Sequence, residues 1–307
     1  MNVIFLSYDD YANLAYDQAE SMKRIGIEAE SYKLVPHVFN YEKQSMVITE
    51  AEMTEVSRRA DIIVIMHTNM KIANMVRNMR GKKVVYHTGS EYRARPEYFN
   101  AEFNQFVELT LTDQCEFMAL GADNIVYNAA TIDVLSAPKF GHQVKRPYKI
   151  AHYPSNPDVK GTSEIKEMMK MVGISNLSDS IFTCSDQRVS HSQQLVRMDQ
   201  CDIYVELFKP ELRGKPYGCF GVTAFEAAAA GKIVVTNNIH EKVYEDAYGE
   251  CMLQIANTKE RFVELMNVIV GMDSDAISEY QTKTYNWIKN NHSYEANGLR
   301  LKKLFEI

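Results

Sequence analysis

Residues Gly218 to Asn238, GCFGVTAFEAAAAGKIVVTNN, decide how this chain is read. Just upstream, Asp202 to Leu207 (DIYVEL) is an apolar run with the length of a buried strand. A loop holding Gly214, Gly218 and Gly221 follows. Next comes an alanine-rich segment, expected to be helical because alanine has the best helix propensity. Gly231 stands where a helix C-terminus wants a residue at positive φ, and Ile233 to Thr236 reads as the next strand. Strand, glycine loop, helix and strand make one right-handed β-α-β unit. Its loop ends at a helix N-terminus, where free N–H groups and the helix dipole favour an anion, most often phosphate. Glu226 interrupts the alanines about one turn in. Spacing leaves two readings for it: a solvated carboxylate near the positive helix end, or an acceptor of hydrogen bonds from ligand hydroxyls.

Working outward, 307 residues are enough for two domains of ordinary size. With 46% hydrophobic and 24% charged residues the chain reads as a soluble globular protein, and its net charge of −6 supplies no global field for nucleic acid or anionic membrane. Cysteines 115, 184, 201, 219 and 251 are scattered, odd in number and free of any Cys-x-x-Cys pair. Reduced thiols in a cytoplasm are therefore expected, not disulfides or a zinc site. The start, MNVIFLSYDD, reads as a strand and not as a signal peptide. No apolar run is long enough to span a bilayer.

The first half alternates strands and helices. Strands are expected at Val3–Tyr8, Glu28–Leu34, Asp61–His67, Lys82–His87, Leu109–Thr112 and Asn124–Tyr127. Helices are expected after Asp9 or Asp10, at Thr49–Arg59, at Met70–Arg80 and around Cys115–Leu120. This is the pattern of a doubly wound, mostly parallel sheet, which binds ligands outside the carboxyl ends of its strands. The first such end, Ser7 to Leu14, has no glycine, so it is not the dinucleotide fingerprint. The third is marked by His67 and the fourth by His87-Thr88-Gly89-Ser90-Glu91-Tyr92-Arg93. Each histidine is either a packed structural residue or a functional one.

Ser136 to Pro147 (SAPKFGHQVKRP) has no period and reads as an interdomain linker. A second α/β series follows: strand Tyr148–Tyr153, helix Thr162–Val172, strand Ile181–Cys184 and helix His191–Gln200. The β-α-β unit, a strand at Met252–Ile255 and a helix at Lys259–Val270 complete it. Within it, His152 to Thr162, HYPSNPDVKGT, ends a strand and opens a helix. Lys160 there, and Lys209, Arg213 and Lys215 in the glycine loop, are either solvated cations or phosphate ligands. His191 is a candidate helix cap. Asp273-Ser274-Asp275 lies between two late helices, where aspartate is expected as a cap and not as a metal ligand.

The two segments His152–Thr162 and Gly218–Asn238 resemble the donor-site signature of retaining glycosyltransferases with the GT-B fold, in the broad family-four group. The resemblance implies two Rossmann-like α/β domains facing a cleft: an N-terminal acceptor domain (1–140), a C-terminal donor domain (148–290), and a terminal helix (291–307) returning to the first. In that family a Glu, seven residues, Glu pattern precedes small residues and Gly-Lys. Glu226 matches the second Glu, which binds the ribose of a sugar nucleotide, while Gly218 stands where the first falls. The resemblance further implies that Lys160 neutralises the donor diphosphate, with Ser155, Asn156, Lys215 and the backbone of Gly218, Phe220, Gly221 and Val222 around it. Arg188, Val189 and His191 would border the base. His87 would lie in the active cleft, with Asn13, Gly89, Ser90 and Arg93 on the acceptor side and Arg95 beside them.

The implied activity is transfer of a sugar from a nucleoside-diphosphate sugar, most readily a UDP-sugar, to an acceptor hydroxyl with retention and without metal. The leaving diphosphate can take the acceptor proton, so no paired carboxylates are required. Phages use enzymes of this fold on hydroxymethylcytosine in DNA. That makes DNA a candidate acceptor, with Lys139, Lys145, Arg146, Arg93 and Arg95 meeting phosphates and the host cytoplasm as location. The alternatives are a saccharide or envelope acceptor, a sugar-nucleotide epimerase, and a non-catalytic sugar-nucleotide sensor.

Overall fold

The structure is a computed structural model that describes residues 1–135, 144–172 and 180–307. Residues 136–143 of the expected linker, including Lys139, lie outside the described residues. Two compact units result: Met1–Asp133 with His292–Ile307, and Val134–Asn291.

Unit 1 is built on seven strands: β1 (Asn2–Ser7), β2 (Glu28–Lys33), β3 (Met46–Val47), β4 (Ile62–Met66), β5 (Lys82–His87), β6 (Leu109–Thr112) and β7 (Ile125–Tyr127). All are parallel, in the order β3-β2-β1-β4-β5-β6-β7. β1 and β4 are apolar runs because both faces are covered: Val3 to Leu6 and Ile62 to Met66 are buried throughout. β3, only two exposed residues long, carries no such signal and was not expected from sequence. The helices α1 (Leu14–Arg24), α2 (Glu50–Arg58), α3 (Met70–Val76), α4 (Gly89–Ala94) and α5 (Pro96–Phe103) connect the strands. Their starts follow cap chemistry. Asp10 accepts from the N–H groups of Ala15 (2.7 Å) and Tyr16 (3.2 Å), and Thr49 and Glu52 form a reciprocal capping box. The helix expected around Cys115 is instead a five-residue 3-10 turn, Cys115–Ala119.

Unit 2 contains β8 (Tyr148–His152), β9 (Ser180–Cys184), β10 (Ile203–Val205), the hairpin β11 (Glu211–Leu212) and β12 (Lys215–Pro216), β13 (Ile233–Thr236) and β14 (Gln254–Ile255). Five of these form a parallel sheet ordered β14-β13-β10-β8-β9. Counted within the unit this is the doubly wound order 2-1-3-4-5, with its switch point between β8 and β10. The helices are α6 (Pro157–Lys160), α7 (Thr162–Met171), α8 (His191–Asp199), α9 (Val222–Ala229), α10 (Glu241–Tyr248), α11 (Lys259–Gly271) and α12 (Ser274–His292). Ile150, Val205, Val235, Ile165, Met168, Phe262 and Met266 share one core. Burying each contributes about 1.5–3 kcal/mol. As expected, Asp273 is a cap: its Oδ1 accepts from Ala276 N at 2.8 Å.

The last helix, α13 (Tyr294–Phe305), belongs to unit 1 and packs along α1. A Cβ on Gly298 would run into the carbonyl of Ser21, so only glycine allows this approach. Polar groups fix the register: Tyr294 Oη donates to Asp17 Oδ1 at 2.6 Å, and Asn297 Nδ2 donates to Gln18 Oε1 at 2.8 Å. The C-terminal helix is therefore part of the first unit.

Candidate functional site

In a doubly wound sheet the loops on either side of the switch point splay apart and leave room for a ligand. In unit 2 these loops follow β8 and β10. His152 closes β8 and ties the two together. Its Nδ1–H donates to the Val205 carbonyl (2.7 Å), which leaves Nε2 to accept from Thr162 Oγ1 (2.9 Å). Burial holds this ring neutral, pushing its pKa down to about 4. The loop then enters the single turn α6, capped by Asn156 Oδ1, which accepts from Asp158 N and Val159 N. Ser155 is exposed beside it. Gly161 has φ 69°, and a Cβ there would run into the Phe208 carbonyl, so α6 lies hard against the chain leaving β10. The position of Lys160 follows from that contact.

Lys160 Nζ is paired with Oε1 of Glu206, the residue directly after β10, whose side chain is fully buried. Glu206 also accepts from Thr223 Oγ1 (3.3 Å) and Thr236 Oγ1 (3.0 Å). A Cβ on Gly221 would run into both Glu206 Oε1 and Lys160 Nζ. The ammonium therefore stands directly at the head of α9, whose N-cap, Gly221, offers no side chain to the first-turn amides. Phe220 is buried edge-on to Phe225 and Tyr244 and fixes the loop ahead of this point, while Val222 begins the helix.

The structure leaves no room for a side chain at Gly218. Asn237, fully buried, accepts from Lys209 N (2.7 Å) and donates to the Tyr217 carbonyl (3.2 Å), clasping both ends of the β11–β12 hairpin. At φ 140°, Gly218 lies so close that any Cβ would run into Asn237 Nδ2. The hairpin carries Arg213 and Lys215 to an exposed tip, and Lys209 is paired with Glu164.

Glu226 is nearly buried and does not point to bulk solvent: His191 Nε2 lies 2.5 Å from its Oε1. The expectation that His191 caps its helix is corrected. Ser190 is the cap, in a capping box with Gln193, and His191 is thereby freed to reach Glu226. Arg188 is exposed and Val189 half-buried on the loop entering α8.

In unit 1 the candidates separate. His87 is fully buried, its ring stacked on Tyr92 at 4.0 Å and edge-on to Phe103, with Nδ1 3.0 Å from Thr68 Oγ1. Burial pushes its pKa down to about 3, so it is a neutral packed ring in this structure. Gly89 (φ 78°) turns the chain into α4, where Ser90 is exposed. Arg93 pairs with Glu116 at 2.6 Å and lies over Phe117, and Arg95 pairs with Glu91 at 2.8 Å. Asn13, at φ 59°, donates to the Lys43 carbonyl. Of the other basic residues proposed to meet nucleic-acid phosphates, Arg146 donates to the carbonyls of Val270 and Met272, while Lys145 is exposed.

A second polar group gathers beside these residues. His67, at φ 60°, has Nδ1 2.8 Å from Thr88 Oγ1 and Nε2 3.7 Å from Asp10 Oδ1. Asp113, electrostatically coupled to His67, has its pKa pushed up to about 6 by burial. Sequence reading missed Glu206, Asn237 and Asp113. A charged residue closing the apolar run DIYVEL was the available signal for Glu206. Among the described residues no group of three or more His, Cys, Asp or Glu is arranged to hold a metal ion, and no helix is long and apolar enough to cross a membrane.

The architecture has solved counterparts along its whole length. HepE of Anabaena, solved with UDP and glucose, is similar with a TM-score of 0.69 and 11% identity, covering 100% of this chain and 99% of that one. An α-glucosyltransferase solved with UDP and a 13-mer DNA containing an HMU base gives 0.71 and 11%, covering 100% and 99%. The sucrose-phosphate synthase of Thermosynechococcus elongatus gives 0.64 and 11%, covering 100% and 98%. The fold is GT-B. At such identity the likeness carries the GT-B architecture alone, and the chemistry has to come from the residues. No protein-family profile matches the chain, and no curated protein sequence is detectably related to it.

Proposed function

We propose that this chain is a glycosyltransferase that binds a nucleoside-diphosphate sugar, a UDP-sugar, on unit 2 and transfers the sugar to an acceptor hydroxyl presented by unit 1. The observation that carries this reading is the meeting of Lys160 with the uncapped head of α9 at Gly221, on the switch point of the sheet. An ammonium and free helix amides at one point suit a diphosphate, whose charge grows as the sugar leaves. Glu226, further along α9 and held by His191 of α8, then receives the ribose hydroxyls. HepE, a structural neighbour solved with UDP-glucose, supports the choice of nucleotide.

In the proposed reaction the bond from the anomeric carbon to the diphosphate oxygen breaks and a bond to the acceptor oxygen forms. With retention, the acceptor proton passes to the departing diphosphate. Lys160 and the amides of Val222 and Thr223 stabilise the negative charge, so the step requires no protein nucleophile. The acceptor we favour is a hydroxymethylated base in DNA, supported by the DNA-bound neighbour. Saccharide acceptors are the competing outcome.

The test is a thermal-shift and calorimetric screen of the chain against sugar nucleotides, followed by transfer assays with hydroxymethylcytosine DNA and with oligosaccharides. Stabilisation by UDP-sugars, weakened on Glu226→Ala, and an α-linked product are expected. Absence of binding to any sugar nucleotide sinks the reading. Binding without any release of sugar points to a sensor.

A further inference from the structure

A protein carboxylate already lies directly beside the place where the donor's diphosphate is proposed to sit. Glu206 leaves the end of β10 fully buried, and its Oε1 pairs with Lys160 Nζ. Thr223 Oγ1, one residue into α9, donates to the same oxygen at 3.3 Å, and Thr236 Oγ1 holds the other at 3.0 Å. Both the carboxylate and the ammonium lie against Gly221, the N-cap of an eight-residue helix. An ammonium, a hydroxyl and a helix N-terminus are the partners an oxyanion seeks, and here the protein supplies the oxyanion itself. Glu206 is held in this position from two sides. Its backbone N–H is bonded to the Val235 carbonyl at 2.9 Å, and its second oxygen is fixed by β13 through Thr236.

We infer that Glu206 is an internal counter-anion that competes with the donor's diphosphate for Lys160 and the head of α9. The inference rests on the reading of unit 2 as the donor site and adds a specificity-setting residue to it. Lys160 has three N–H donors, so it can keep Glu206 while turning another donor to a phosphate oxygen. The ligand then meets a half-neutralised cation and a like charge close behind it. Such a site holds a diphosphate loosely enough to let the spent nucleotide go. It discriminates by charge: neutral nucleosides are indifferent to Glu206 and diphosphates are not.

Calorimetric titration of the full chain with UDP, inorganic pyrophosphate and uridine tests this, comparing wild type, Glu206→Gln and Glu206→Asp. Glu206→Gln is expected to bind UDP and pyrophosphate at least tenfold more tightly, with uridine unchanged. Glu206→Asp, which draws the charge back by one methylene, is expected to fall between. Unchanged or weaker UDP binding in Glu206→Gln overturns the inference, because Glu206 would then be only a prop for Lys160. If that variant does not fold, Glu206→Asp decides alone by the same criterion. Wild type that binds UDP alongside variants that do not differ rejects only this inference. Neither UDP nor uridine binding to any form rejects the donor reading with it.

Discussion

His191 Nε2 stands 2.5 Å from Glu226 Oε1, joining the first turn of α8 to the middle of α9. A short polar helix and a buried alanine-rich one are thus tied at the carboxylate proposed to receive the ribose. A hydrogen bond to a charged group is worth about 1.5–3 kcal/mol when its loss leaves the charge unpaired.

His191→Ala is therefore expected to weaken UDP binding by roughly tenfold or more by freeing the carboxylate to rotate. Glu226→Ala should weaken UDP binding at least as much, down to the affinity of a ligand that lacks the ribose hydroxyls. Calorimetry with UDP and 2′,3′-dideoxy-UDP checks the assignment, since the dideoxy ligand should be indifferent to both substitutions. Equal losses for both ligands would show that the pair supports only the fold.

Replacing Gly218 by Glu, which would restore the family pattern, is expected to damage the protein instead. The residue sits at φ 140° with Asn237 Nδ2 where a Cβ would go. Strain and overpacking together should cost about 2 kcal/mol or more. Denaturant unfolding measures this cost, and a gain in UDP affinity at unchanged stability would contradict the packing.

Acid should unfold the chain cooperatively. His87, His152 and His292 are buried and neutral, with pKa values lowered by burial to about 3, 4 and 3. The unfolded chain takes up their protons near pH 6.5, so stability is intact above that value and falls as pH drops below it. Three protons give about 4 kcal/mol per pH unit, or a cumulative loss of roughly 6 to 10 kcal/mol between pH 5 and pH 4, which is comparable with an ordinary stability of about 5–15 kcal/mol. Asp113 pulls the other way: its carboxyl, raised to about 6, costs up to about 3 kcal/mol once ionised and gives that back on acidification. The histidines outweigh it. Circular dichroism from pH 7.5 to 3.5 checks the sum, and Asp113→Asn should raise stability at pH 7.5 without moving the histidine-driven fall.

Gly298→Val should loosen α13 from α1. Its side chain would enter the Ser21 carbonyl, and overpacking of this kind costs about 1–3 kcal/mol. Hydrogen exchange should then rise over α13 and α1 together and leave the unit 2 strands unchanged.

Much of this architecture was legible because both sheets are parallel and covered on two faces. Strands such as Val3–Leu6 and Ile233–Thr236 therefore read as unbroken apolar runs. Cap residues Asp10 and Asp273 announced their helices for a local reason, since the side chain meets amides a few positions away. The β11–β12 hairpin was not legible, because its two-residue strands carry no pattern and are held by Asn237 from twenty or more residues downstream. For the same reason Lys160 and the head of α9 could be named separately, but not the carboxylate between them. Glu206 meets Lys160 only because Gly161 lets α6 approach the Phe208 carbonyl, a tertiary fact with no local trace. His87 shows the converse: a motif position matched, and packing against Tyr92 made it a core residue.

A crystal structure of the chain grown with UDP is the most direct test. The account predicts the β-phosphate within hydrogen-bonding distance of Lys160 Nζ and of the amides of Val222 or Thr223, with the ribose hydroxyls on Glu226. UDP bound with its phosphates away from Gly221, or with Lys160 making no contact to them, would contradict it.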